Sequence, residues 1–206
     1  MNIEKNNKII IISSPSGAGK TTLCKLLIKK MKNINLSISY TSRNQRLNEV
    51  NGKDYFFVNK SKFLELKKKN YFIETAINFE NYYGSPYKNL KKNNKNILFD
   101  IDWKGARKIR SKIPKENIID FFILPPSVRE LKKRLEKRGR DNNKDINLRL
   151  SYALKEIAHY KEYSYVLINQ NVMQTINDII HIIKYKLIID DNKKLTNKKL
   201  KSLINF

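Results

Sequence analysis

The sequence predicts an α/β fold in which a parallel sheet is flanked by helices, and three observations carry that prediction. The run Ile9–Ile12 is β-branched, apolar throughout and too short for a helix, the pattern of a strand buried on both faces. A glycine turn, "SSPSGAGKT" from Ser13 to Thr21, follows at once, and then Leu23, Leu26, Leu27 and Met31 mark one face of a helix. After residue 96 the same alternation of short apolar runs and amphipathic stretches returns.

From Leu36 to Asn96 the texture differs. Short alternating stretches (Ser37–Thr41, Tyr55–Val58, Tyr71–Phe79) sit among polar turns, with a helical piece near Lys62–Lys69, which predicts a small mixed lobe inserted into the core. The core resumes with a strand at Ile97–Ile101 that ends in "FDIDW". This puts Asp100 and Asp102 at the carboxyl end of a buried strand, where open α/β sheets bind ligands. A helix over Lys104–Lys112 and a strand over Ile118–Leu124 come next. Another helix begins after "PPS", with Ser127 and Glu130 spaced as a capping box, and runs to Arg138–Gly139, where "RGRDNNKD" breaks the pattern. A helix is expected from about Ile146 to Tyr160, then a strand at Tyr165–Ile168. Ile176, Ile179, Ile180, Ile183 and Leu187 mark the last clear amphipathic helix, and the Lys/Asn-rich end beyond Asp190 reads as frayed helix or tail.

A chain of 206 residues, 40 % hydrophobic, buries a core as one domain with small inserted lobes. Four isoleucines are too few for a signal-peptide core, and no stretch approaches the roughly 20 apolar residues of a membrane span, so a soluble cytoplasmic protein without a membrane is expected. The single cysteine, Cys24, fits a reducing compartment and reads as packing. The net charge of +24 invites a nucleic-acid reading. Lysine supplies 34 of the 43 cations, however, and Lys, Asn and Ile together make 88 of the 206 residues, the signature of adenine- and thymine-rich codons filling exposed positions. Runs such as Lys67–Lys69 and Lys91–Lys95 lack interleaved aromatics, so no specific nucleic-acid partner is expected.

The turn nearly fits the pattern G-x-x-x-x-G-K-[ST], with Ser14 where the first glycine would stand. Phosphate oxygens need converging donors, and Gly17 and Gly19 let backbone N–H groups turn inward with no Cβ in the way. The following helix adds free N–H groups and its positive dipole end. Residues Ser14, Pro15, Ser16, Gly17, Ala18, Gly19, Lys20, Thr21 and Thr22 are thus expected to bind ATP. Lys20 would reach the β- and γ-phosphates, and the Thr21 hydroxyl would ligate Mg²⁺. Ser14 lies at the strand exit, outside the cradle itself.

At this point the chain resembles the guanylate kinases, P-loop enzymes that pass the γ-phosphoryl group of ATP to GMP. The resemblance extends to about Asp190. It rests on "SPSGAGKTTL" (14–23), "SISYTSRNQRLNEVNGKDYFFV" (37–58), "FIE" (72–74), "NYYGSP" (81–86), "LFDIDWKGA" (98–106) and "ILPPSVRELKKRLEKRG" (123–139). It implies an α/β fold of the P-loop NTPase type, a parallel sheet flanked by helices, with a small mixed α/β GMP-binding lobe and a helical lid. The implied division is core 1–36, GMP lobe 37–96, core 97–133, lid 134–150, core 151–190 and a basic tail 191–206. By the resemblance Glu74 and Asp102 take the N1–H and N2–H₂ donors of guanine, and Ser39 and Ser85 face O6. Arg43 and Arg46, with Tyr55 and Tyr83 beside them, hold the GMP phosphate. Lys20, Arg134, Arg138 and Arg149 cancel charge on the transferred group, and Asp100 holds Mg²⁺ through water. A dGMP acceptor is compatible with the family.

Taken singly, these residues have plainer readings: Arg and Tyr in the lobe as surface residues, Asp100 and Asp102 as strand-end caps, three lid arginines as a solvated face. Their joint order after a phosphate loop favours the functional reading. His159 and His181 read as structural and Trp103 as packing. Two rival functions are a non-catalytic guanylate-kinase-like domain that binds phosphopeptides and a kinase for another nucleoside monophosphate. The retained Lys20 and lid arginines weigh against the first, and the Glu74, Ser85 and Asp102 set against the second. The chain departs from the family at Leu47-Asn48-Glu49, where Pro-Gly-Glu is usual, and at Asn169-Gln170-Asn171, where Asn-Asp-Asp is usual.

Overall fold

The structure, a computed structural model, describes residues 7–78, 80–91, 95–136 and 143–204. In chain order its elements are β1 (Ile9–Ser13), α1 (Lys20–Lys30), β2 (Ile34–Leu36), β3 (Tyr40–Thr41), β4 (Phe56–Phe57), α2 (Lys60–Lys68), β5 (Phe72–Asn78) and β6 (Asn81–Pro86). They continue with β7 (Asn96–Asp100), α3 (Trp103–Arg110), β8 (Ile118–Leu124), α4 (Val128–Glu136), α5 (Asn143–Ile157), β9 (Tyr165–Ile168) and α6 (Val172–Ile204).

The four isoleucines of β1 divide between the two faces of one sheet because side chains alternate along a strand. Ile10 and Ile12 pack with Leu23, Cys24 and Leu27 of α1 and with Ile176, Ile179 and Ile183 of α6. Ile9 and Ile11 pack on the opposite face with Phe99 and with Ala106 and Ile109 of α3. Each isoleucine is at most 1 % exposed, worth roughly 2–3 kcal/mol of burial apiece. The sheet runs β2-β7-β1-β8-β9, all parallel, with β1 at its centre. That order sends the carboxyl ends of β1 and β7 side by side, Ile12 pairing with Asp100, so the glycine turn and the Asp100–Asp102 stretch leave the sheet as neighbours.

A second, mixed sheet of order β4-β3-β6-β5 forms from the segment between β2 and β7. Helix α2 covers it, Phe63 stacking on Phe72 at 4.8 Å between ring centroids. Gly84 of β6 lies under that pair, where a Cβ would come within 3.0 Å of both rings. The lobe abuts the core where β5 packs on α3 and where Lys25 of α1 pairs with Asp54 at 2.8 Å. A smaller cluster, Leu131, Leu135, Ile146 and Ala153, joins α4 to α5.

Several elements differ from expectation. β2 joins the core sheet, and at three residues it is too short to show a period in the sequence. α5 begins at Asn143 and ends at Ile157, with a 3₁₀ turn over Ala158–Glu162 completing the expected span. Of the two readings of the Lys/Asn-rich end, helix or tail, the helical one applies: α6 continues to Ile204, with no glycine or proline to interrupt it. The capping box is half formed: the Glu130 N–H donates to Ser127 Oγ at 3.1 Å, but the Glu130 carboxylate accepts from Arg134 Nε at 2.9 Å. Among the described residues no helix is long and apolar enough to cross a membrane.

Candidate active site

The phosphate loop is shaped by two glycines with left-handed backbone, Gly17 (φ 94°) and Gly19 (φ 98°). A Cβ at Gly17 would lie 2.8 Å from Leu131 Cδ1 of α4, and one at Gly19 only 2.5 Å from Asn169 Nδ2. Both positions therefore need glycine for backbone and for space. Ala18 N–H and Ser14 Oγ both donate to the Pro15 carbonyl, at 3.2 and 3.0 Å. Among the described residues only Asn70 and Glu80 combine a side chain other than glycine's with positive φ, so Ser14 carries no left-handed strain.

Helix α1 starts at Lys20 with Gly19 as its cap, no side chain bonded to its first N–H groups and no acid in its first turn. Its positive end thus faces the loop, with Thr21 and Thr22 exposed on the first turn. Lys20 Nζ lies 2.8 Å from Asp100 Oδ1 and donates to the Ile101 carbonyl at 3.0 Å. Burial alone would favour the neutral amine, but the Asp100 charge and hydrogen bond outweigh it and raise the Lys20 pKa. The loop therefore holds a fixed cation.

Behind the loop Asn169, fully buried, donates from Nδ2 to the Ala18 carbonyl at 2.8 Å. The carbonyl of the same residue accepts from Arg134 Nη2 at 3.3 Å, so the arginine of α4 stands on the residue that buttresses the loop. Arg149 is half-buried on α5. Arg138 lies outside the described residues.

In the lobe a hydrogen-bond chain runs through three predicted residues. Ser85 Oγ donates to Glu74 Oε1 at 2.6 Å, and the Ser39 and Ser85 hydroxyls meet at 2.9 Å. All three are buried. Burial is the main cause that lifts the Glu74 carboxyl to about 7, opposed by the Ser85 hydrogen bond and aided by the Asp102 charge. Asp102 caps α3: Oδ1 accepts from the Gly105 N–H at 2.8 Å, and Oδ2 accepts from Asn78 Nδ2 at 2.7 Å. Gly105 has no side chain to keep Glu74 away, since a Cβ there would lie 2.8 Å from Glu74 Oε2. The first turn of α3 thus brings the two carboxylates together.

Arg43 donates from Nη2 to both Glu49 oxygens, at 2.8 and 3.0 Å, and its guanidinium lies over the Tyr55 ring at 5.5 Å. Glu49 also accepts from the Arg46 N–H at 2.9 Å, so the carboxylate kept in the altered turn organises both arginines. The Arg46 side chain is exposed. Tyr55 packs edge-on against Tyr83 at 6.0 Å. Burial raises the Tyr55 pKa, the Asp100 charge raises it further and the Lys20 charge lowers it.

The sequence did not single out Glu49, Asn78, Gly105 or Glu156 as site residues, and it marked Asn169 only for the departures beside it. Asn169 alone carried a usable signal, because it ends the apolar run of β9. The two altered positions after it are also accounted for: Asn171 caps α6, accepting from the Met173 and Gln174 N–H groups at 2.9 and 3.1 Å, and Gln170 is exposed. Trp103 and His159 stack on each other at 3.6 Å, a packing contact.

A family model described as guanylate kinase matches residues 6–186. The guanylate kinase of Rickettsia felis is 45 % identical over 186 residues, covering 89 % of this chain and 96 % of that one. The guanylate kinase of Caldanaerobacter subterraneus is 42 % identical over 200 residues, with 95 % and 96 % covered. The crystal structure of guanylate kinase from Anaplasma phagocytophilum superposes with a TM-score of 0.74 at 34 % identity, covering 90 % of this chain and 89 % of that one. A family match over residues 6–186, and a relative 45 % identical over 186 residues, in a chain that carries both a charged phosphate loop and a buried Glu74, make this chain a member of the guanylate kinase family.

Proposed function

We propose that this chain catalyses ATP + GMP ⇌ ADP + GDP, the reaction of its family, and that its residues divide the work as follows. The observation that carries the reading is the buried Glu74–Ser85–Ser39 hydrogen-bond chain, in a chain whose phosphate loop carries a fixed cation, Lys20, paired with Asp100. Guanine offers N1–H and N2–H₂ as donors on one edge, and two carboxylates satisfy them. Adenine presents an acceptor at N1 and would leave a buried carboxylate unpaired, a defect that can cost ~10⁴-fold in selection. Arg43 and Arg46, braced by Glu49, supply planar donors for the GMP phosphate, with Tyr55 and Tyr83 as neutral neighbours. dGMP meets the same base contacts.

On the donor side, residues 14–22 cradle the ATP phosphates and Lys20 exchanges its Asp100 partner for phosphate oxygens. Transfer needs positioning and charge cancellation more than covalent chemistry, because a GMP phosphate oxygen is itself the nucleophile. Arg134, Arg138 and Arg149 complete that cancellation as segment 134–150 closes over lobe 37–96 and excludes water. Mg²⁺ takes hard oxygen ligands, which the Thr21 hydroxyl and the Asp100 carboxylate can provide, directly and through water. When bound, the ion would neutralise charge on the transferring phosphates. We place the reaction in the cytoplasm, where a buried free Cys24 stays reduced.

An assay of ADP release with GMP, AMP, CMP and UMP tests the reading. GMP is expected to be strongly preferred. Equal turnover of AMP would remove the base-recognition assignment, and no turnover with any acceptor would favour a non-catalytic binding domain.

A further inference from the structure

Glu156, on α5, has no part in the chemistry just described, yet it touches the phosphate loop. Its Oε2 accepts from the Ser16 N–H at 3.1 Å, a contact between residues 140 apart in sequence. Ser16 sits one residue before the left-handed Gly17. A carboxylate is thus planted on the rim of a cradle whose other features attract anions. Burial pushes the Glu156 acid upward, the Ser16 N–H and the Lys20 charge pull it back, the Asp102 charge raises it and Lys104 lowers it. The observation is the bond itself, which joins α5 to the loop across 140 residues of sequence.

The helix explains the need. Arg149 stands seven residues before Glu156, and at about 100° per residue two turns bring both to one face, separated by about 10 Å along the axis. Both are half-buried. Part of the grip on α5 is apolar, Leu131 and Leu135 of α4 against Ile146 and Ala153, and apolar packing is non-directional. The bond to the loop adds the direction that this packing lacks. We propose that Glu156 is a positioning residue: by holding the Ser16 N–H it sets the register of α5 on the phosphate loop, and so sets where Arg149 meets the transferred phosphoryl group. This rests on the ATP:GMP reading above.

The test uses Glu156→Met, which keeps length and helix propensity without the acceptor, and Glu156→Gln, whose amide oxygen still accepts. Each is made in the parent and in Arg149→Ala, with melting curves to check folding. A misplacement of about 1 Å can cost ~10²-fold, so kcat of Glu156→Met should fall roughly 10- to 100-fold with the KM for GMP held within about twofold. Glu156→Gln should stay within about threefold of the parent. In the Arg149→Ala background, Glu156→Met should change kcat less than about twofold, because the residue it positions is gone. Equal losses in both backgrounds, or a Gln variant as slow as the Met variant, would overturn the proposal. A parent that fails to phosphorylate GMP would remove the functional reading and this inference together. An active parent with an unimpaired Met variant would remove the inference alone.

Discussion

GMP binding should depend on pH through Glu74. Its carboxyl, 3 % exposed, titrates at about 7 instead of the ordinary 4.5. The folded chain therefore holds this proton more tightly than the unfolded chain, and ionising it costs stability. The penalty is absent below 4.5, the unfolded value, grows as pH rises, and is complete above about 7, where it amounts to roughly 3 kcal/mol. Guanine reverses the preference, since its N1–H and N2–H₂ groups need the ionised acceptor. About a tenth of the carboxyl is ionised at pH 6 and about nine-tenths at pH 8, so the KM for GMP should be roughly tenfold higher at pH 6. The GMP phosphate also titrates, near pH 6, so Glu74→Gln serves as the reference: it keeps the shape and lacks the titration. KM is measured by coupled ADP release at saturating ATP from pH 6 to 8, beside melting curves of the free protein. An equal pH slope in Glu74→Gln, or a KM lower at pH 6, would refute the reasoning.

Gly105→Ala should raise the KM for GMP about tenfold or more while the KM for ATP stays within about twofold, because the new Cβ would stand 2.8 Å from Glu74 Oε2. Initial rates against each substrate check this, and an equal rise for ATP would show that the contact is not a base-pocket contact. Lys20→Ala should lower turnover by ~10²–10³ or more while far-UV circular dichroism is unchanged. It should also lower the melting temperature, because Asp100, with a side chain 17 % exposed, loses its ion partner. Turnover near that of the parent would remove Lys20 from the reaction.

What could be read from the sequence was what local pattern encodes. β1, the loop and α1 were legible because a four-residue apolar run, two glycines and an amphipathic stretch leave little alternative, and Cys24 lies in the core as expected. Asp100 and Asp102 were legible as strand-end carboxylates, although one pairs with Lys20 and the other caps α3. β2 escaped because three residues show no period. Glu156 and Asn78 escaped for a different reason: their partners, Ser16 and Asp102, are brought to them by packing of whole elements, which residue spacing does not encode. Glu49 stood next to an altered turn, and only the fold reveals that its carboxylate grips Arg43. Gly105 reads as an ordinary weak helix residue until Glu74 is seen against it.

The central claim is that the loop and the carboxylate pair serve one transfer, from ATP to a guanine nucleotide. It is tested most directly by supplying ATP labelled in its γ-phosphate to an equimolar mixture of GMP and AMP and following the label. The label is expected in GDP, with little in ADP or inorganic phosphate. Label passing chiefly to ADP, or released as inorganic phosphate with GMP present, would contradict it.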